Sequence, residues 1–178
     1  MEPHDAAAAH EAEYPGASLL ASQCIRALED VGGLVEARVG QAARAHDLSH
    51  AALNALAVIE GEGAPLAAGE VATRMHITTG TTTSVLDTLE RKGLVRRAAD
   101  PGDRRRVLVD VTADGQAVLD RLLPDVQLLA RTVMDHLSEN QQRQLLRGLD
   151  AVRAALAATP DDLPPAPARR RPDRLTRS

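Results

Sequence analysis

A mainly α-helical fold carrying one small β-hairpin is predicted by three features of the chain. Aromatic residues make up 1% of its 178 positions, with no Phe, no Trp and a single tyrosine, Tyr14. Strands favour aromatic and β-branched side chains, whereas Ala, Leu and Arg favour helices. Apolar residues recur at spacings of three and four through most of the sequence, the period of a helix face. Strand-like runs are confined to one stretch, on either side of a turn-rich pentapeptide.

Residues 1–16 are Ala- and acid-rich, end in Pro15-Gly16, and are read as a disordered N-terminal extension. Over 17–48, Leu28, Val31, Val35 and Val39, flanked by Leu20, Ile25 and Leu34, mark one long amphipathic helix. Ser49 is placed to cap a second helix, whose Leu53, Leu56 and Ile59 share a face before Gly61-Glu62-Gly63 ends it. A short helix then covers about Ala67 to Met75, and the turn His76-Ile77-Thr78 leads into another from Thr79 to Lys92, closed by Gly93. Leu94–Ala98 and Val107–Val111 are the strand-like runs, and Ala99-Asp100-Pro101-Gly102-Asp103 between them is turn chemistry.

Thr112 caps a long helix to about His136, with Pro124 expected to kink or break it. Ser138 and Gln141 form a capping-box pair for the last helix, carried by Leu145, Leu149, Val152 and Leu156 at near coiled-coil spacing. The stretch 113–158 is therefore helical, and 159–178, rich in Pro and Arg, is read as a disordered tail. Residues 49–112 form the central module, in the order helix, tight turn, helix, hairpin: a winged helix-turn-helix.

Charge is unevenly spread. The chain carries a formal net charge of −4, but Arg91–Arg106 holds seven cations and two acids, a local excess of five, which leaves −9 elsewhere. Lys92 is the one lysine among 21 basic residues, an arginine bias that codon usage explains. With Cys24 the single cysteine, no intrachain disulfide can form, and nothing suggests an oxidising compartment. The acidic N-terminus lacks the pattern of a signal peptide and no apolar run is long enough to span a bilayer, so a cytoplasmic protein is expected.

In a helix-turn-helix the second helix enters the major groove with its first turns facing base edges. Thr82, Leu86 and Leu89 of that helix can share the inward face, leaving Thr79, Gly80, Thr83 and Ser84 outward. Threonine is a poor helix former, so five of them within Thr78–Thr83 call for a reason other than stability. Thr78 is the expected N-cap, and DNA contact is assigned to Thr78, Thr79, Gly80, Thr81, Thr83 and Ser84. The second assigned element is the hairpin tip, where Arg104, Arg105 and Arg106 are placed to reach a minor groove.

The run from Gly69 to Gly115 resembles the helix-turn-helix and wing of the MarR family (multiple-antibiotic-resistance regulators). The resemblance rests on the small-residue reading helix, Leu89-Glu90-Arg91-Lys92-Gly93-Leu94-Val95 with Arg97, Asp100-Pro101 with Asp103 and Arg105, and Val111-Thr112 with Gly115. It implies a homodimer joined through its first and last helices, with two wings on a pseudo-palindromic operator. It also implies Arg105 as the wing-tip arginine, Asp103 as its brace, and a small lipophilic effector as a partner of unknown identity. The family commonly has a small residue where this chain has Arg106.

Two further groups of residues invite a chemical reading. Cys24 and the run Thr79–Thr83 resemble the organic-hydroperoxide-sensing branch of that family, but the tyrosines of that branch are missing, and a lone helical cysteine is ordinarily an inert core residue. His46 and His50 have metal-ligand spacing without a third ligand, so neither a metal nor a cofactor is expected. No nucleophile constellation, Walker loop or dinucleotide fingerprint is present, which argues against an enzyme. The expectation is a sequence-specific DNA-binding regulator, a repressor before an activator because operator occlusion needs no extra partner. The alternatives are a helical dimerisation module whose basic wing binds an acidic protein, or a cysteine-based peroxide sensor of the same family.

Overall fold

The computed structural model describes residues 3–103, 106–160 and 162. Its elements are α1 (Pro3–Glu13), α2 (Leu19–Arg44), α3 (His50–Glu62), β1 (Leu66–Ala67), α4 (Ala68–Met75), α5 (Thr79–Arg91), β2 (Val95–Ala99), β3 (Val107–Val111), α6 (Ala113–Met134) and α7 (Glu139–Ala158). The chain divides into two compact units: Val35–His136, and Met1–Leu34 together with Leu137–Ser178.

The central unit holds the hydrophobic core: every buried apolar residue among those described lies between Ala43 and Leu122. Leu53, Leu56 and Ile59 of α3 meet Val71 of α4, Leu86 and Leu89 of α5, Val109 of β3 and Leu119 and Leu122 of α6 in one cluster. Each such side chain removed from water contributes about 1.5–3 kcal/mol, which makes this cluster the main force holding α4 and α5 in place. Ser49 caps α3 as expected, its Oγ accepting from Ala52 N at 3.1 Å.

The sheet has three strands rather than the predicted two, in the order β1-β3-β2, all antiparallel. Leu66 pairs with Val109 and Ala67 with Leu108, so Ala67 ends a strand instead of opening a helix. Two residues are too few to show an alternating pattern, which is why β1 is invisible to periodicity. The hairpin register runs from Val95 opposite Val111 to Ala99 opposite Val107. Val109 is fully buried while Val107 is 45% exposed, because the far end of the ribbon projects beyond the core.

Gly93 turns the chain from α5 into β2 with φ +71°, a left-handed conformation that costs glycine nothing. Thr112 then closes the module: its N–H donates to Leu94 O at 3.1 Å and its Oγ1 to Gly93 O at 2.6 Å, while Gly115 N donates to Thr112 Oγ1 at 3.0 Å. This draws the start of α6 against the start of β2. A Cβ on Gly115 would lie 2.1 Å from Leu94 O, so only glycine fits there.

Two expectations are corrected. Pro124 lies inside a continuous α6 and does not end it. Asp120, whose carbonyl loses its helical partner to the proline, is exposed together with Pro124, so water can take up the freed acceptor. Residues 3–13, read as part of a disordered extension, form α1. The Ala6–Ala9 run supplies the best helix-forming residue, and the helix docks locally through a 3.4 Å contact of His10 Nε2 with Ser22 Oγ.

In the terminal unit, Ser138 and Gln141 form the expected capping box at the start of α7, Gln141 Oε1 accepting from Ser138 N at 2.9 Å and Ser138 Oγ from Gln141 N at 3.4 Å. No described residue of α7 is buried in the single chain. Leu145, Leu146 and Leu156 on α7, and Leu20, Ile25, Val31 and Leu34 on α2, are all exposed. Most of the stretch read as a disordered tail, 161 and 163–178, lies outside the described residues. Among the described residues no helix is long and apolar enough to cross a membrane.

Candidate nucleic-acid interface

The geometry of α5 begins at the turn before it. His76 takes a left-handed conformation (φ 53°) that ends α4, and Thr78, extended, caps α5 by accepting from Thr81 N at 3.2 Å. From there the helix separates two faces. Thr82 (1% exposed), Leu86 and Leu89 point into the core, the Thr82 hydroxyl donating to Thr78 O at 3.1 Å. Thr79, Gly80, Thr81, Thr83 and Ser84 are all exposed, so the predicted reading residues share one solvent face over the first turns. Their hydroxyls are largely turned onto the helix itself: Thr83 Oγ1 donates to Thr79 O at 2.9 Å and Ser84 Oγ to Gly80 O at 3.2 Å.

In the basic stretch, four of the described cations are paired with acids. Arg96 donates to Asp110 Oδ2 through Nη2 at 2.6 Å and Nε at 3.2 Å, across directly opposed positions of the hairpin. Arg97 reaches from β2 to α5, meeting Asp87 Oδ1 at 2.6 Å, Glu90 Oε2 at 3.3 Å and Thr83 O at 3.5 Å. Lys92 Nζ donates to Asp47 O at 2.8 Å and to the Asp47 carboxylate, tying the end of α5 to the loop before α3. Exposed ion pairs of this kind add little stability, so their effect is to orient the ribbon and the reading helix together. The hydrogen bond from Lys92, aided by its charge, holds the Asp47 carboxyl below the ordinary carboxylate range.

Arg106 Nη2 lies 3.3 Å from Glu70 Oε2 and its Nε 3.8 Å from Asp100 Oδ2, so it ties the turn end of the ribbon to α4 while its side chain stays 47% exposed. Glu70 also accepts from Ala67 N at 2.9 Å, which anchors the pair at the helix start. The turn itself is held by Asp100, whose Oδ1 accepts from Gly102 N at 2.7 Å, and by Arg106 N donating to Asp103 O at 2.9 Å. Asp103 is exposed at this tip, and Arg104 and Arg105 lie outside the described residues.

Sequence reasoning named the cations and missed their partners. Asp110 could have been found, since the hairpin register sets it opposite Arg96. Asp87, Glu90, Glu70 and Asp47 had no such signal, being paired across separate elements.

The remaining predicted residues do not join this site. Cys24 is exposed on α2 rather than packed in a core. His50 Nδ1 lies 3.8 Å from Glu36 Oε1, and no group of three or more metal-ligating side chains occurs among the described residues.

Comparison with known proteins bears on the same region. The model of the MarR family matches residues 46–106, from α3 to the residue before β3. The HTH-type transcriptional regulator YcgE of Bacillus subtilis, itself uncharacterised, is 36% identical over 88 residues, 49% of this chain and 54% of that protein. The HTH-type transcriptional regulator PecS of Dickeya dadantii is 29% identical over 123 residues, 68% of this chain and 74% of that one. The chain spans about half the length of the first curated relatives it matches. Among solved structures, a mutant of Escherichia coli MarR complexed with operator DNA superposes with a TM-score of 0.68 at 24% identity, covering 76% of this chain and 99% of that chain. That likeness establishes the winged-helix fold.

Proposed function

We propose that the chain is a member of the MarR family, whose model matches residues 46–106, and that it is a sequence-specific DNA-binding transcription regulator acting as a homodimer on a pseudo-palindromic operator. The observation that carries this reading is the two-faced α5: Leu86 and Leu89 are fully buried while Thr79, Gly80, Thr81, Thr83 and Ser84 stand in solvent beside a ribbon that Arg97 braces. Small side chains let the backbone come close to base edges, and the helix N-terminus favours a phosphate. Arg105, at the tip of the ribbon, is assigned to the minor groove, with Arg104 beside it and Asp103 as support.

The dimer is supported by the terminal segments. An amphipathic helix hydrophobic along one stripe needs a partner surface, and the apolar residues of α7 and of the first half of α2 are open in the single chain. A second copy of the chain is the occupant this reading assigns to them. Repression by occlusion of a promoter, release by a small lipophilic effector, a cytoplasmic location and the lack of enzymatic chemistry belong to the same reading.

The test is binding of the purified protein to DNA from its own upstream region, followed by fluorescence anisotropy across a salt series. Salt-sensitive binding well above that to scrambled DNA supports the reading, because each neutralised phosphate adds about 0.9 to the slope of log affinity against log salt. In the Arg105→Ala variant the expected outcome is weaker operator binding with the dimer intact. Unchanged affinity there removes the wing from the mechanism, and no binding to either DNA at low salt overturns the reading.

A further inference from the structure

Resting on the reading of α5 as the base-contacting helix, we propose that this helix selects A·T pairs at the centre of each half-site, through the Thr83 methyl group and the outward lone pairs of the Thr83 and Ser84 hydroxyls. A carbonyl oxygen cannot donate, so the 2.9 Å contact of Thr83 Oγ1 with Thr79 O and the 3.2 Å contact of Ser84 Oγ with Gly80 O place both hydroxyl protons on the helix backbone. What these two exposed side chains present outward is lone pairs, with a methyl group as well at Thr83. Thr78 and Thr81 bond to each other, their oxygens 2.9 Å apart, which engages one of their two hydroxyl protons.

Base edges in the major groove differ in what they require. Guanine shows two adjacent acceptors, O6 and N7, which call for a donor pair such as an arginine fork. The exposed face from Thr79 to Ser84 carries no Arg, Lys, Asn or Gln. Arg97, which also reaches Thr83 O, is paired with Asp87 and Glu90, and Lys92 is paired with Asp47. Adenine N6 and cytosine N4 can each donate to a hydroxyl lone pair, so the amino groups alone do not separate the two pairs. The thymine methyl separates them, because it is apolar and only an A·T pair offers it. Gly80, with nothing within 4 Å of the position a Cβ would take, leaves an open notch beside the Thr83 methyl where such a group can be received.

The experiment uses the full-length protein. A selection from random-sequence DNA defines the bound half-site, and each thymine in it is then replaced singly by deoxyuridine, which removes the methyl group and nothing else. The expected result is an A·T-rich half-site centre with at least one thymine whose replacement weakens binding about fourfold, the effect of exposing one methyl group. That sensitivity should vanish in Thr83→Ser, which loses the methyl, and persist in Thr83→Val, which keeps it. Both substitutions are at an exposed position, and circular dichroism verifies that the variants fold. A selected half-site centred on G·C pairs, or a deoxyuridine effect that survives in Thr83→Ser, overturns the proposal while leaving the regulator reading standing. Failure of any sequence to be enriched overturns that reading and this proposal with it.

Discussion

Replacing Gly115 by alanine should destabilise the protein by about 1–5 kcal/mol, although the position lies in a helix, where alanine is the better former. The added Cβ would stand 2.1 Å from Leu94 O and 2.8 Å from Val111 Cγ1. Neither neighbour is the end of a flexible side chain: one is backbone at the entry to β2 and the other belongs to a half-buried valine. Relief therefore means lifting the start of α6 by about 1 Å, as ordinary contact distances require. That movement breaks or stretches the bonds from Thr112 to Leu94 O (3.1 Å) and to Gly93 O (2.6 Å). Two such bonds are together about 1–3 kcal/mol, and overpacking adds about 1–3 kcal/mol. The helix propensity of alanine over glycine returns about 1 kcal/mol.

The assay is urea unfolding followed by circular dichroism at a fixed protein concentration, since the stability of a dimer depends on concentration. Gly61→Ala, in α3 with nothing within 4 Å of its Cβ, is the control and should be neutral or stabilising by up to about 1 kcal/mol. If Gly115→Ala unfolds within about 0.5 kcal/mol of the parent chain, a change ordinary for surface positions, the reasoning that the α6 start is clamped against β2 is refuted.

Glu70→Gln should loosen the turn end of the ribbon by weakening its bond to Arg106, lowering operator affinity by a fewfold with little change in melting temperature, as exposed pairs contribute about 0–1 kcal/mol. Equal affinity in anisotropy would show that the pair does not position the wing. The Asp47–Lys92 pair gives a pH dependence whose sign follows from the lowered Asp47 carboxyl. Its contribution is fully present above the unfolded value of about 3.9 and fades as pH falls through the folded one. Asp47→Asn should therefore reduce stability at neutral pH and flatten the acid limb of a stability profile below about pH 4, and an unchanged limb would remove the pair from the account.

Much of the fold was legible locally. Helix starts at Ser49, Thr78, Thr112 and Ser138 follow from short side chains that accept a backbone N–H, and each of them caps its helix in the structure. The inward and outward faces of α5 follow from helical period alone, because a buried face and an exposed one differ in residue type. The sequence by itself therefore determined the order of elements and the surface of the reading helix. What only the tertiary structure decided is which elements touch. The strand β1, two residues long, exists through pairing with β3 more than forty positions later, so no local pattern records it. Likewise the cations of the ribbon are legible as charge, yet whether each is paired depends on acids brought from α4, α5 and the loop before α3. Charge is a property of one residue, whereas its neutralisation is a property of the fold.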